Sequence, residues 1–344
     1  METDSKGKKK FGRPIFVVDG LNCFIRNFMV NETMNSKSEP IGGVVGFIKF
    51  LDSLNSNYCP GKIFVVWEAG GGSPRRKSLY PEYKANRAKV KDFKRLKTGA
   101  TNIKDLLKLD EGNKIMQLAL LYRILNTTPV CQIFIKDTEG DDIVGYLVKD
   151  KLSHMYPETE KVIVSSDKDF YQLLDDPMVK IFDPAKKIFV DASDVEKRYS
   201  ISARNFCLAK AIVGDESDNI EGVPGVGFKT LAKRFSQLLD TNVDHTINDI
   251  MVECQQHIAK KAKPKVFKDI LSGESVIKRN WKLMYLNSST LAASQIEKIN
   301  YIVDNHEPKM DKLTLMKVLV ANGINMVIDL DRFTSNLGQN LLYF

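Results

Sequence analysis

Nine carboxylates fall where chemistry would need them. Asp19 closes the apolar run PIFVVD (14–19) and Glu68 closes KIFVVWE (62–68). Glu139, Asp141 and Asp142 stand in EGDD just beyond CQIFIKD (131–137); Asp167 and Asp169 stand in SSDKDF at the end of KVIVS (161–165). Each run is short, apolar and rich in β-branched residues, the pattern of a buried strand. In open parallel sheets ligands bind beyond the carboxyl ends of the strands, so acids placed there meet although the chain scatters them. Asp215 and Asp218 in GDESDN add a pair three residues apart, which share a face if that stretch is helical. Any one of these acids also has a structural use: Asp19 can shape the turn before Gly20, and Asp141, Asp142 or Asp167 can cap a helix. Gathered at one end of a sheet they repel and raise each other's pKa values unless cations lie between them. Hard oxygen donors without His or Cys select Mg²⁺ or Mn²⁺. Two such ions about 4 Å apart suit in-line displacement at a phosphodiester.

Composition narrows the alternatives. The chain has 344 residues, 43% of them hydrophobic and 27% charged, which suits a folded chain of one large or two smaller domains. Its four histidines and five cysteines are dispersed, with no CxxC; a zinc ribbon is excluded, a disulfide scaffold is disfavoured and a reducing cytosol is expected. No apolar run reaches the roughly 18 residues of a membrane span, and METDSKGKKK lacks the apolar stretch of a secretory signal. The net charge of +8 is concentrated: twelve Lys/Arg and three acids lie between Arg75 and Lys108, so the rest of the chain is close to neutral. Tyr80, Tyr83 and Phe93 are interleaved with those cations, among them Arg75, Arg76, Lys84 and Arg87. Rings beside cations suit unpaired bases beside neutralised phosphates; a solvated loop is the plainer reading. A second cluster (Lys260, Lys261, Lys263, Lys265, Lys268) fits an extended duplex site, a partner surface or a solvated helix face.

The elements that must position these groups alternate. Strands at 14–19, 62–68, 131–137 and 161–165 are separated by helical periodicity at 41–54, 115–125 and 141–154, and VKIFDPAKKIFV (179–190) reads as a hairpin. That alternation predicts a mostly parallel α/β sheet. From about Ser200 strand signals fade. The expected organisation is a flexible basic tail over 1–13, an α/β domain over 14–199 with a basic arch at about 72–128, and a helical domain over 200–344. GVPGVGFKT (222–230) fails the P-loop pattern GxxxxGK[ST], because Phe228 separates Gly227 from Lys229 and no strand precedes it. It reads instead as helix (203–213), Gly/Pro turn with Gly222, Gly225 and Gly227, and helix (228–239). Amides at the second helix start, with Lys229, Thr230 and Lys233, would grip DNA phosphates without reading bases; an ordinary helical hairpin is the alternative.

VVDG (17–20), YPEYKANR (80–87), EGDD (139–142), SSDKDF (165–170) and GDESDNIEGVPGVGFKT (214–230) together resemble the 5′-nuclease superfamily of flap endonucleases and 5′→3′ exonucleases. They are similar to stretches of T-even-type phage ribonuclease H and the 5′-nuclease domain of bacterial DNA polymerase I. The resemblance covers roughly residues 15–235. It implies a PIN-like sheet, a helical arch, and a helix–three-turn–helix that holds duplex, with K⁺ on its carbonyls. It also implies two Mg²⁺ or Mn²⁺ ions. Asp19, Glu139, Asp141 and Asp142 would hold the first, Asp167 and Asp169 would be shared, and Asp215 and Asp218 would complete the second. Lys84 and Arg87 would contact the scissile phosphate at the arch base, and Tyr83 would stack on the terminal base. Where the family has Asp, this chain has Glu68, which keeps the charge but reaches one methylene further. The implied activity is cleavage near 5′ ends of DNA and RNA–DNA duplexes at flaps, nicks and RNA primers. A monomeric phage protein in the host cytoplasm is implied, with a single-stranded-DNA-binding or other replication protein as partner. The competing readings are a structured-RNA ribonuclease on a related fold and a junction-binding protein with a weakened metal site.

Overall fold

The computed structural model describes residues 12–68, 73–85, 103–260, 265–324 and 327–342, with backbone alone over 103–111. The expected basic tail (all but its last two residues), the middle of the expected arch (86–102) with Arg87, and Lys261 and Lys263 lie outside the described residues.

Five strands run parallel: β1 (Ile15–Asp19), β2 (Lys62–Glu68), β3 (Cys131–Ile135), β4 (Lys161–Val164) and β5 (Val179–Asp183). β6 (Ile188–Val190) closes one edge antiparallel to β5, as the hairpin pattern predicts. The order is β3-β2-β1-β4-β5-β6, so the chain reverses its direction of travel across the sheet between β1 and β4. A crevice opens at such a switch point, where connections leave in opposite directions. Asp19 ends β1 and Asp167 follows β4, so these two acids flank it.

Alternate side chains of each strand enter opposite layers, as the pleat requires. Phe16, Val18, Ile63, Val65 and Trp67 face one core, and Ile15, Val17, Phe64 and Val66 the other. α1 (Gly20–Val30), absent from the sequence expectation, begins one residue after β1 and packs on α2 (Gly42–Tyr58). A Cβ at Gly20 would stand 2.5 Å from the Trp67 ring, so only glycine lets α1 start there. α3 (Pro74–Leu79) follows β2, and α4 (Ile103–Leu125) precedes β3. α5 (Gly140–Tyr146) continues through a π-turn (Leu147–Lys151) into α6 (Leu152–Met155).

The helices α7 (Ala192–Tyr199), α8 (Ala203–Val213), α9 (Phe228–Arg234), α10 (Ile247–Ala259), α11 (Lys265–Ser272) and α12 (Glu274–Met284) surround a third core built on Leu208, Ile212, Leu231, Phe235 and Ile277. The helix expected over 228–239 stops at Arg234 and gives way to a 3₁₀ turn, because Phe235 leaves helical geometry to bury its ring completely. The helical unit expected over 200–344 also needs correction. α13 (Ala293–Asp304) packs on β3 and joins the second core. α14 (Lys312–Ala321) and α15 (Leu330–Leu341) supply Leu315, Leu319, Phe333 and Leu337 to the first core. These three helices therefore complete the α/β body on both sides, α13 in the second core and α14 and α15 in the first. No helix among the described residues is long and apolar enough to cross a membrane.

Leu337 tests this closure. It is fully buried against the first core, so Leu337→Ala should lower the unfolding free energy of the α/β body by about 2–5 kcal/mol in denaturant titration. A change below about 0.5 kcal/mol, the range of surface substitutions, would return these helices to an independent unit.

Candidate active site: three groups of acids and three protein cations

The carboxylates gather at one end of the sheet, but in three differently neutralised groups. The first lines an open pocket at the switch point. Asp19, Glu68, Asp141 and Asp167 surround it with Glu139, Asn22 and Lys84. Local structure aims them. Asp19 caps α1, accepting a hydrogen bond from the Asn22 amide (3.0 Å) and another from the Ser165 hydroxyl (3.1 Å). Asp167 caps the 3₁₀ turn Lys168–Leu173 through the Asp169 amide (2.9 Å). The structural roles open to these residues are thus real, and both residues line the pocket as well. Burial pushes the Asp19 carboxyl up to about 6, with the Asp167 and Glu68 charges adding to it and its hydrogen bonds opposing. Burial, then Asp167 and Asp19, raise Asp141 well above the ordinary carboxylate range despite the pull of Lys84. Asp167 is raised by burial and by Asp218 and Asp215, with Lys210 working against them.

The second group is already satisfied. Arg76, in α3, is 2% exposed and forks onto Asp142, Nη1 donating to Oδ2 (2.5 Å) and Nη2 to Oδ1 (2.9 Å). Its Nε donates to the Leu283 carbonyl (2.7 Å), and Nη1 lies 3.4 Å from Glu139 Oε2. Thr290 Oγ1 also donates to Asp142 Oδ1 (2.9 Å). Burial disfavours the guanidinium charge, but Asp142 and Glu139 outweigh it and hold Arg76 protonated above its ordinary value. This corrects two expectations. Arg76 is an interior counter-ion, not a DNA-facing cation. Asp142 has both oxygens committed within the protein, so it is not an open ligand. Tyr83, expected to stack on a base, is 5% exposed and packs against Ile220, Leu283 and Met284, donating its hydroxyl to Glu139 Oε2 (2.9 Å).

Lys84 joins the second group to the third. Its Nζ donates to Glu139 Oε2 (2.7 Å) and lies 3.8 Å from Asp218 Oδ2, inside the pocket. Its backbone is left-handed (φ 59°), and its amide donates to the Asp218 carbonyl (2.8 Å). Asn219 Nδ2 donates to the Glu82 carbonyl (2.7 Å). The base of the expected arch is therefore tied to the turn carrying Asp218. Asp169 and Asp215 are bridged by the Lys210 ammonium, which sits among them from α8. Burial opposes ionisation of Asp215, but Lys210 and Ser217 overcome it and hold its carboxyl below the ordinary value.

Sequence reasoning missed Lys210 and the inward turn of Arg76. A lysine one helical turn before GDESDN in the apolar stretch CLAKAIV was the available signal for Lys210. Nothing in PRRKSL (74–79) distinguishes the inward Arg76 from the exposed Arg75. Among the described residues no three His, Cys, Asp or Glu side chains stand close enough to ligate one ion as they are placed. The donor set nonetheless fits a hard divalent ion, because unpaired carboxylates that raise one another's pKa values are relieved by a cation between them. Beside the pocket, Gly214 (φ +86°) opens the short antiparallel pair β7 (Gly214–Asp215) and β8 (Ile220–Glu221), and just after it a Cβ on Gly222 would stand 2.0 Å from the Val213 carbonyl. Gly225 (φ +75°) turns the chain towards α9, leaving Lys229 and Lys233 exposed and Thr230 half-buried.

A switch-point pocket lined with acids and a lysine, beside a basic segment, defines a nuclease-type centre. Residues 14–200 match the family model "5′-3′ exonuclease, N-terminal resolvase-like domain", and the chain belongs to that family. It is accordingly an enzyme that hydrolyses phosphodiester bonds. It is 30% identical over 232 residues to a 5′-3′ exonuclease of Buchnera aphidicola subsp. Schizaphis graminum, covering 66% of this chain and 72% of that one. Its fold is similar to the T5 D15 protein co-crystallised with metal ions (TM-score 0.63, 21% identity, 89% of this chain and 99% of that one). It is also similar to a variant of the bacteriophage T5 D15 flap endonuclease in a pseudo-enzyme-product complex with DNA and metal ions (TM-score 0.61, 22% identity, 95% and 98%).

Arg76→Ala separates an interior role from a DNA contact. Stranding Asp142 should cost about 3–5 kcal/mol of stability in denaturant titration. Unchanged stability with weaker DNA binding would restore Arg76 to the surface role.

Proposed function

We propose that this chain cleaves phosphodiesters near the 5′ ends of DNA and RNA–DNA duplexes, at flaps, nicks and RNA primers, using divalent metal ions. The observation that carries the reading is the meeting of Asp19, Glu68, Asp141 and Asp167 around one pocket that Lys84 enters. These four acids would hold the ion or ions, Mg²⁺ or Mn²⁺, with Glu68 bridging its distance through its longer side chain or a water. Because no three acids among the described residues ligate a common site as placed, loading requires their side chains to turn inward. The bound metal would supply an activated water and a counter-charge for the leaving oxygen.

The protein's own residues do the rest. Lys84 faces the pocket with an ammonium shared between Glu139 and Asp218; a phosphate arriving there takes up that ammonium as charge grows on its oxygens. The left-handed Lys84 backbone and its bond to Asp218 fix where the ammonium can reach. Asp142 and Arg76 act as structure, holding the start of α5, and with it Asp141, against α3. Asp169 and Asp215, bridged by Lys210, form a partly neutralised wall on the side of the Gly222–Thr230 turn. That turn, with Lys229, Thr230 and Lys233 at the start of α9, is proposed to hold duplex by its phosphates, with K⁺ on its carbonyls. Arg75 and Arg87 are proposed to bind DNA phosphates as well. Cleavage of RNA primers follows because backbone contacts do not read bases. A role beside a single-stranded-DNA-binding or other replication protein, as a cytoplasmic monomer, completes the proposal.

Asp167→Ala should reduce cleavage of a 5′-labelled flap in Mg²⁺ by at least about 100-fold while leaving duplex binding within about twofold. Cutting at the wild-type rate would refute the site. Lys84→Ala should slow cleavage about 100- to 1,000-fold and weaken binding far less. Equal losses in rate and affinity would make Lys84 a mere anchoring cation.

A further inference from the structure

The outer face of α12 repeats ring and cation in a way the proposed reaction does not use. At helical spacing, Lys278, Trp281, Lys282 and Tyr285 fall on one side, while Ile277, Asn280, Leu283 and Met284 turn inward and are buried. Lys278 and Lys282 are exposed, and Trp281 and Tyr285 are half-buried. The two rings stack on each other (centroids 4.3 Å apart, planes 17° apart). Lys149, from the π-turn after α5, lies over the Tyr285 ring at 5.6 Å. At the other end the Arg279 guanidinium covers Tyr80 at 4.1 Å, and exposed Arg75 donates to the Lys282 carbonyl (3.4 Å). Two ring–cation clusters thus flank α12: Tyr80 with Arg279 on the side of α3, and Trp281 with Tyr285 and Lys149 on the side of the π-turn after α5. Of the acids near α12, Glu274 is paired with Lys278, and Asp142 and Glu139, which act on Arg75, are paired with Arg76.

Trp281 and Tyr285 pack against the small core of Tyr83, Cys207, Ile220, Leu283 and Met284, yet both stay part-exposed with exposed cations beside them, and a protein partner would have to offer acids at each of those cations. Unpaired nucleic acid offers a π-face and a phosphate at every nucleotide, the alternation this face presents. We infer that the Trp281–Tyr285–Lys149 strip, edged by Lys282 and Arg75, is a track for single-stranded nucleic acid. It carries the unpaired arm of the substrate away from the pocket, with bases on the Trp281–Tyr285 pair and phosphates on Arg75, Lys282 and Lys149. The inference rests on the proposed cleavage at 5′ flaps, and it gives that reaction a way to tell a flap from a plain nick.

The chain supplies its own reporter. It has two tryptophans; Trp67 is fully buried, and Trp281 is half-exposed on the strip. An oligonucleotide of about 12 thymidines, added without divalent metal, should quench tryptophan fluorescence saturably. Trp281→Phe should remove the quench while fluorescence anisotropy of the end-labelled oligonucleotide still reports binding. The Lys149→Ala/Lys282→Ala pair should weaken that binding roughly tenfold and lower the slope of log affinity against log salt by about 1.4. Binding by anisotropy without any quench, or a double variant that binds like wild type with the same salt slope, would overturn the track. Wild-type protein that cuts a nicked duplex in Mg²⁺ but gives no quench refutes this inference alone; protein that neither cuts nor binds refutes the nuclease reading with it.

Discussion

The molecule is organised around negative charge at the carboxyl end of a parallel sheet. Strands β1 to β4 each deliver acids to that end, and Gly214 to Asp218 delivers two more from the helical side. Carboxylates this close destabilise one another in a medium poorer than water in screening charge. The fold answers with three side-chain cations of different reach. Arg76 makes a buried bidentate pair with Asp142, Lys210 bridges Asp169 and Asp215, and Lys84 stands between Glu139 and Asp218. Asp19, Asp141 and Asp167 are left with less compensation, and theirs are the carboxyls raised above the ordinary range.

That division assigns cost and use to different residues. The pairs made by Arg76 and Lys210 fix elements against each other: α3 against α5 and α12, and α8 against the turn after β4. They set the walls. The under-compensated acids are the floor, and their mutual repulsion is what an incoming divalent ion would relieve. Lys84 belongs to both sets, since its backbone is fixed to the Asp218 turn while its ammonium faces the pocket. The arch base is thus part of the site's framework, with Tyr83 buried as a strut rather than presented as a stacking surface.

Much of this was legible in the sequence because strand ends announce themselves. The runs at 15–19, 62–68 and 161–164 appear with nearly the expected bounds, since three or more consecutive β-branched or aromatic residues between polar ones favour a buried strand. The parallel order followed from alternation with helices. Which acids would be compensated was not legible. Arg75 and Arg76 are adjacent and chemically identical, and only the pitch of α3 and the Leu283 carbonyl turn one inward. Lys210 left one trace, a lysine in the apolar stretch CLAKAIV one turn before GDESDN, but which acids it bridges depends on the fold. The return of α14 and α15 to the first core also escaped notice, because helical periodicity states that a face is apolar but not which surface it covers.

The most direct test is the stability of Asp141→Asn without metal. Asp141 lies in the pocket among carboxylates that raise its pKa after burial has done so, and amide substitution keeps its shape while removing its charge. If uncompensated repulsion is the constraint on this fold, Asp141→Asn unfolds at a higher denaturant midpoint than wild type in chelator at neutral pH, and it loses Mg²⁺-dependent cleavage. A variant that is less stable than wild type, or that cleaves as wild type does, would contradict the account.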